Sequence, residues 1–112
     1  MIIFPFGFYI LEGKRPVYVG NDLEAQKTAR SWMGANPEKV RLSFDQIGSA
    51  HILTKFLGWN AARSNSMDQT PLLFECALIA DEQTHVRRFY SDYDAALEGH
   101  VELIEYAKGQ LH

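Results

Sequence analysis

The stretch from Val40 to Leu57 constrains this chain most. Val40, Leu42 and Phe44 alternate with Arg41, Ser43 and Asp45, the period-2 signature of a strand with one buried face. Gly48-Ser49 follows, and glycine at the first central position fits a two-residue type II′ turn. Such a turn pairs Ile47 with Ala50, Phe44 with Leu53, Leu42 with Lys55 and Val40 with Leu57. Paired residues share a face, so Val40, Leu42, Phe44, Leu53 and Leu57 are expected on the core side. A hairpin this well specified commits the chain to antiparallel pairing.

The flanking segments extend the pattern. Phe6 to Leu11 and Pro16 to Val19 read as an N-terminal hairpin around Glu12-Gly13-Lys14. The opening MIIFPFGFYI lacks the charged n-region and small-residue cleavage site of a secretory leader, so it is expected to be a strand of a cytoplasmic protein. Asn21 or Asp22 is placed to cap a helix over Leu23 to Met33, with Ala25, Ala29, Trp32 and Met33 on one face. Gly34-Ala35-Asn36-Pro37 ends it. Gly58 to Thr70 is polar and aperiodic, a loop long enough to suggest function. Pro71 to Ala80 is apolar on both faces except at Glu75, as in a central strand. A four-residue turn over Asp81 to Thr84 returns the chain through His85 to Tyr90. Ser91 and Asp94 have capping-box spacing before a last helix, whose apolar stripe is read as Tyr93, Leu97, Val101 and Ile104. The order β-β-α-β-β-β-β-α predicts an α+β fold: an antiparallel sheet of about six strands with two helices on one face. With 112 residues and no linker, it reads as one domain.

Composition excludes several classes. A single cysteine, Cys76, allows neither an internal disulfide nor a multi-cysteine metal site. No apolar run has the length of a membrane span. The four histidines show no metal-ligand spacing, and phosphate-loop, dinucleotide and nucleophile-elbow motifs are all missing, so neither a cofactor nor a metal is expected. The net charge of −3 argues against general nucleic-acid binding. That charge is unevenly spread: from Ser91 onward five acids face one base, leaving the remainder near neutral. Asp94, Glu98, Glu102 and Glu105 on the last helix are either a solvated face or a docking surface for a basic partner.

Three other features are candidates for chemistry. Glu75 interrupts an apolar strand and must be paired or hydrogen-bonded. A four-residue turn makes Arg88 its diagonal neighbour, either as a structural pair or as a polar patch at a ligand surface. Trp59, Asn60 and Arg63 lie in the long loop. Tryptophan and arginine are typical of binding hot spots, and the two together suit a base or a phosphate; the alternative is that Trp59 covers the core. His100 is expected as a packed, hydrogen-bonded histidine at the helix–sheet boundary. Cys76 is expected on the core face with Phe74 and Leu78.

Phe56-Leu57-Gly58, Pro71-Leu72-Leu73-Phe74-Glu75, Arg88-Phe89-Tyr90, Ala95-Ala96 and Gly99-His100 together resemble a family of small phage and prophage proteins of no assigned function. The N-terminal Leu11-Glu12-Gly13-Lys14-Arg15-Pro16-Val17 and the first helix fit the same layout. Relatives often continue from Phe74-Glu75 into Thr-Met, where this chain has Cys76-Ala77. The resemblance implies a viral or mobile-element origin and carries over no catalytic residue. Together with the small single domain, the absent catalytic motifs, the long polar loop and the acidic helix face, this leads to the expectation of a non-enzymatic phage-type accessory protein that binds a host protein or a small nucleotide, with an anti-defence role in view. The alternatives are a small enzyme on a nucleotide-like anion, with Glu75 and a histidine converging, and a virion or assembly subunit. Ile2, Ile3, Phe4 and Phe6 make a homodimer an expectation.

Overall fold

The structure is a computed structural model that describes residues 3–62 and 70–110. It is an α+β fold with six antiparallel strands, divided between two sheets. β1 (Ile3–Glu12) and β2 (Arg15–Asp22) form a two-stranded hairpin. α1 (Leu23–Ala35) packs on that hairpin and is followed by a single turn, α2 (Pro37–Val40). β3 (Arg41–Ile47), β4 (Ala50–Phe56), β5 (Phe74–Ala80) and β6 (Gln83–Tyr90) form a sheet in that order, and α3 (Tyr93–Gln110) packs on one of its faces. No described helix is long and apolar enough to cross a membrane.

Local chemistry sets the boundaries. The Asp22 carboxylate accepts the Ala25 N–H at 2.9 Å and caps α1. α3 is capped by Asp92, which accepts from Ala95 N–H at 2.9 Å, so the cap stands one residue after the expected Ser91. Two apolar clusters hold the molecule together. Ala50, Ile52, Cys76, Leu78, Leu103 and Ala107 fill the space between the four-stranded sheet and α3. Leu11, Phe56, Leu73, Phe74 and Ala96, with Trp32 and Tyr93 against them, join the hairpin and α1 to the sheet. Phe56 sits 5.9 Å from Trp32 and 5.5 Å from Phe74 between ring centroids. Full burial of a phenylalanine contributes about 2–3 kcal/mol.

The β3–β4 hairpin has the expected turn, with Ile47 opposite Ala50 and Phe44 opposite Leu53. Leu57 is buried and Leu42 packs against the core as expected, but along β4 the core face is the other one. Ala50, Ile52, Thr54 and Phe56 are buried under α3, whereas Phe44 is 47% exposed. The two strands disagree in pattern: β3 offers Leu42 and Phe44 on one face, whereas β4 offers Ala50, Ile52 and Phe56 on the other against His51, Leu53 and Lys55. The choice is made by α3, whose His100 finds its polar partners only on the Thr54 side. A bulge between Arg41 and Ser43 also shifts the register, pairing Lys55 with Arg41 rather than Leu42, and Val40 lies in α2.

α3 differs in the same way. Its buried residues are Ala96, His100, Leu103 and Ala107, while Val101 is 57% exposed. The small side chains of Ala96 and Gly99 let the helix approach the sheet. A Cβ on Gly99 would overlap the Tyr90 hydroxyl.

The β5–β6 turn is tighter than expected. Asp81 and Glu82 both adopt positive φ (54° and 63°), giving a two-residue turn that pairs Ala80 with Gln83. A bulge at His85, whose Nε2 lies 3.0 Å from Ala80 O, then resets the register. Glu75 is therefore opposite Phe89, and Arg88 is opposite Cys76.

Candidate functional site

Those register changes separate the expected Glu75–Arg88 pair. β5 places Glu75 on the sheet face away from α3, and β6 turns Arg88 toward α3, where Nη1 lies 3.4 Å from Glu102 Oε2. Glu75 pairs instead with Arg87, Oε1 to Nε at 3.5 Å, and is 8% exposed. A neighbouring cation satisfies the buried carboxylate as the sequence demanded, but the cation is the next residue along.

The acidic helix face is largely neutralised within the molecule. Asp94 pairs with Lys14 at 3.1 Å, Glu102 with Arg88, and Glu105 with Lys108 at 3.7 Å. Glu98 makes no ion pair among the described residues.

His100, Thr54 and Cys76 form a buried polar chain. Asp45 Oδ2 lies 2.8 Å from His100 Nε2, His100 Nδ1 lies 2.7 Å from Thr54 Oγ1, and Thr54 Oγ1 lies 2.9 Å from Cys76 Sγ. The thiol donates to Ala96 O at 3.1 Å. An Asp–His–hydroxyl order is also that of a nucleophile triad. Here Thr54 has no exposed surface and His100 is 2% exposed, so no substrate reaches the hydroxyl. Burial pushes the Cys76 thiol up, against the lowering effects of the Thr54 hydrogen bond and Arg88. Cys76 is a core thiol, not an activated nucleophile.

The histidines do not converge on Glu75. His100 lies on the opposite face of the sheet. His51 pairs with Ile79, four residues from Glu75 along β5, or about 13 Å at strand spacing. His85 is held at the far turn. The acid/base cluster that an enzymatic reading requires is not assembled by these residues.

The long loop holds the better candidate. Leu57 N–H donates to Leu73 O (2.8 Å) and Ala61 N–H to Leu72 O (2.8 Å), tying the loop base to the strand entering β5. Asn60 has a structural task here, its Oδ1 accepting from both Ala62 N–H and Leu72 N–H at 2.9 Å. Gly58 turns the chain with φ +79°, and a side chain there would collide with Met33 of α1. Tyr9 N–H donates to Gly58 O at 2.9 Å, and Trp59 bridges to Phe8 of β1. Trp59 is thus held by its backbone on both sides, yet stays 48% exposed. It does not fold over the core. Arg63 lies outside the described residues.

Between Trp59 and α1 runs a groove of about 510 Å³, with Ala29, Met33 and Leu57 as apolar wall and Arg30 as its cation. A second groove, of about 400 Å³, shares Met33 and continues over Leu53, Lys55 and Arg41. No carboxylate lines either groove. The sequence reading missed Arg30, Arg41 and Lys55. One signal was present for Arg30: no acid stands three or four residues from it, whereas Lys27 and Lys108 each have a glutamate at i−3. Among the described residues no cluster of His, Cys, Asp and Glu is suited to a metal ion.

The fold and site define an α+β protein with a rigidly mounted indole over a cationic groove. Comparison with known protein families, with curated proteins and with solved structures finds no match.

Proposed function

We propose that this protein acts by binding rather than by catalysis, and that its ligand is a nucleotide-like anion held between Trp59 and α1. The observation that carries this reading is the half-exposed Trp59 indole on a backbone anchored to β1 and to the loop base. A pre-positioned aromatic plane gains stacking energy without an ordering cost. Arg30 supplies the positive charge and the apolar wall excludes water from one side.

A phage-type accessory role, with interference in a nucleotide-signalled host defence, is consistent with such a site. A host protein as partner is the second reading. It is favoured by Phe44, an aromatic ring standing 47% exposed on the sheet face that α3 leaves uncovered.

Isothermal titration with purine and pyrimidine mononucleotides tests the first reading. Saturable binding is expected, with Trp59→Ala and Arg30→Ala each weakening it by roughly tenfold, in keeping with about 1–3 kcal/mol per stacked base. Heats of dilution alone with every mononucleotide would refute it.

A further inference from the structure

We infer that the groove at Trp59 is one end of a longer track, and that the track binds a single-stranded nucleic acid. This rests on the nucleotide-binding reading of that groove and extends it across Met33 onto the open sheet.

Unpaired positive charge is unevenly distributed over the molecule. Lys14, Arg15, Lys27, Arg87, Arg88 and Lys108 each lie within 4.0 Å of a carboxylate oxygen. The described cations without an ion pair are Arg30, Lys39, Arg41 and Lys55. Arg30 lines the first groove, and Arg41 and Lys55 line the second. Lys39 belongs to α2, whose Pro37 and Val40 also border the second groove. The molecule is net negative, yet its uncommitted positive charge is gathered on one strip that no carboxylate lines. Glu75, the cross-strand partner of Lys55, is engaged by Arg87, and Glu38 of α2 lines neither groove. A polyanion is the complement of such a strip.

The strip also carries aromatic rings: Trp59 stands at one end and Phe44 at the other, both about half exposed. Arg41 lies 5.7 Å from the Phe44 ring centroid, and the His51 ring, tilted by 35°, has its centroid 5.6 Å from it. Unpaired bases offer π faces to such rings, and duplex bases do not. The sheet supplies the platform between them. Arg41 is directly opposite Lys55, and Phe44 is opposite Leu53. The two cations thus form one cross-strand row beside an apolar row.

The total charge of −3 disfavours nucleic acid, but no acid lines this strip; four of the 14 acids lie on α3, and three of those are paired within the molecule.

Fluorescence anisotropy with a labelled oligothymidylate of about six nucleotides tests the inference, with thymidine monophosphate as the short ligand and the annealed duplex as a second arm. The oligonucleotide is expected to bind at least tenfold more tightly than the mononucleotide. The double substitution Arg41→Glu/Lys55→Glu should cut oligonucleotide affinity tenfold or more, reduce the salt slope by about 1, and leave mononucleotide binding unchanged. Phe44→Ser gives a second, charge-neutral variant with the same expected direction. An oligonucleotide bound no more tightly than the mononucleotide would overturn the track and leave the Trp59 groove standing. Loss of affinity in the sheet variants without any effect of Trp59→Ala would support the sheet surface and remove the groove. Equal affinity for the duplex overturns the inference. So does a sedimenting dimer that Phe44→Ser dissolves while no oligonucleotide binds, because the sheet face is then a contact between copies.

Discussion

Replacing Thr54 by valine keeps the side-chain volume nearly constant and removes one hydroxyl. On hydrophobicity alone the change should stabilise, since Thr54 is fully buried. The buried chain predicts the opposite. The Thr54 hydroxyl lies 2.7 Å from His100 Nδ1 and 2.9 Å from Cys76 Sγ. Valine leaves the fully buried imidazole nitrogen without its partner, and leaving a buried polar atom unsatisfied costs about 1–3 kcal/mol. With the lost contact to the thiol, the expected total is about 2–3 kcal/mol. For a chain of 112 residues, the usual unfolding entropy per residue converts this to a fall in Tm of roughly 8–12 °C. Thr54→Ser keeps the hydroxyl and loses one methyl, so it should cost only about 1 kcal/mol. Adding His100→Leu to Thr54→Val removes both partners and should recover part of the loss. Urea denaturation followed by far-UV circular dichroism measures all three. A Thr54→Val protein as stable as the wild type, or one more stable than Thr54→Ser, refutes the polar-chain argument.

Gly99→Ala should destabilise by about 1–3 kcal/mol, because the new methyl meets the Tyr90 hydroxyl across the α3–sheet contact; a thermal melt matching the wild type would show that the contact has slack. Arg87→Ala should cost about 1 kcal/mol by leaving Glu75 without its cation, and Arg88→Ala should stay within about 0.5 kcal/mol, since its partner Glu102 is exposed. The reverse ranking in urea titrations would restore the Glu75–Arg88 pairing. Burial raises the Cys76 thiol above its ordinary value, so above that value the unfolded chain releases a proton that the folded chain keeps. Stability should therefore fall as pH rises through the alkaline range, and Cys76→Ala should reduce the slope. Aromatic disulfide reagents should label Cys76 only after unfolding; fast native labelling contradicts the burial.

Several elements were legible because each depends on neighbours in sequence. The Asp22 cap, the Gly48-Ser49 turn with its Ile47–Ala50 pairing, the packed His100 and the core position of Cys76 all follow from local pattern. The Asp81-Glu82 turn was not legible, because glutamate, unlike aspartate or glycine, is not a usual occupant of positive φ. One missed turn and its compensating bulge exchanged Arg87 for Arg88 as the partner of Glu75. A one-residue slip reverses the face of every side chain that follows.

The sequence by itself determined the element order, the antiparallel pairing and the need for a partner at Glu75, since periodicity, turn chemistry and desolvation act over a few residues. Tertiary structure decided which face of the β3–β4 hairpin is the core. β3 offers Leu42 and Phe44 on one face and β4 offers Ile52 and Phe56 on the other, and the packing of α3 through His100, Thr54 and Asp45 selects the β4 face. The same choice leaves Phe44, Arg41 and Lys55 facing outward and brings Arg41 and Lys55 beside Met33 of α1, which also borders the groove at Arg30. The candidate site is assembled from segments distant in sequence, and their convergence is a consequence of how the helices dock.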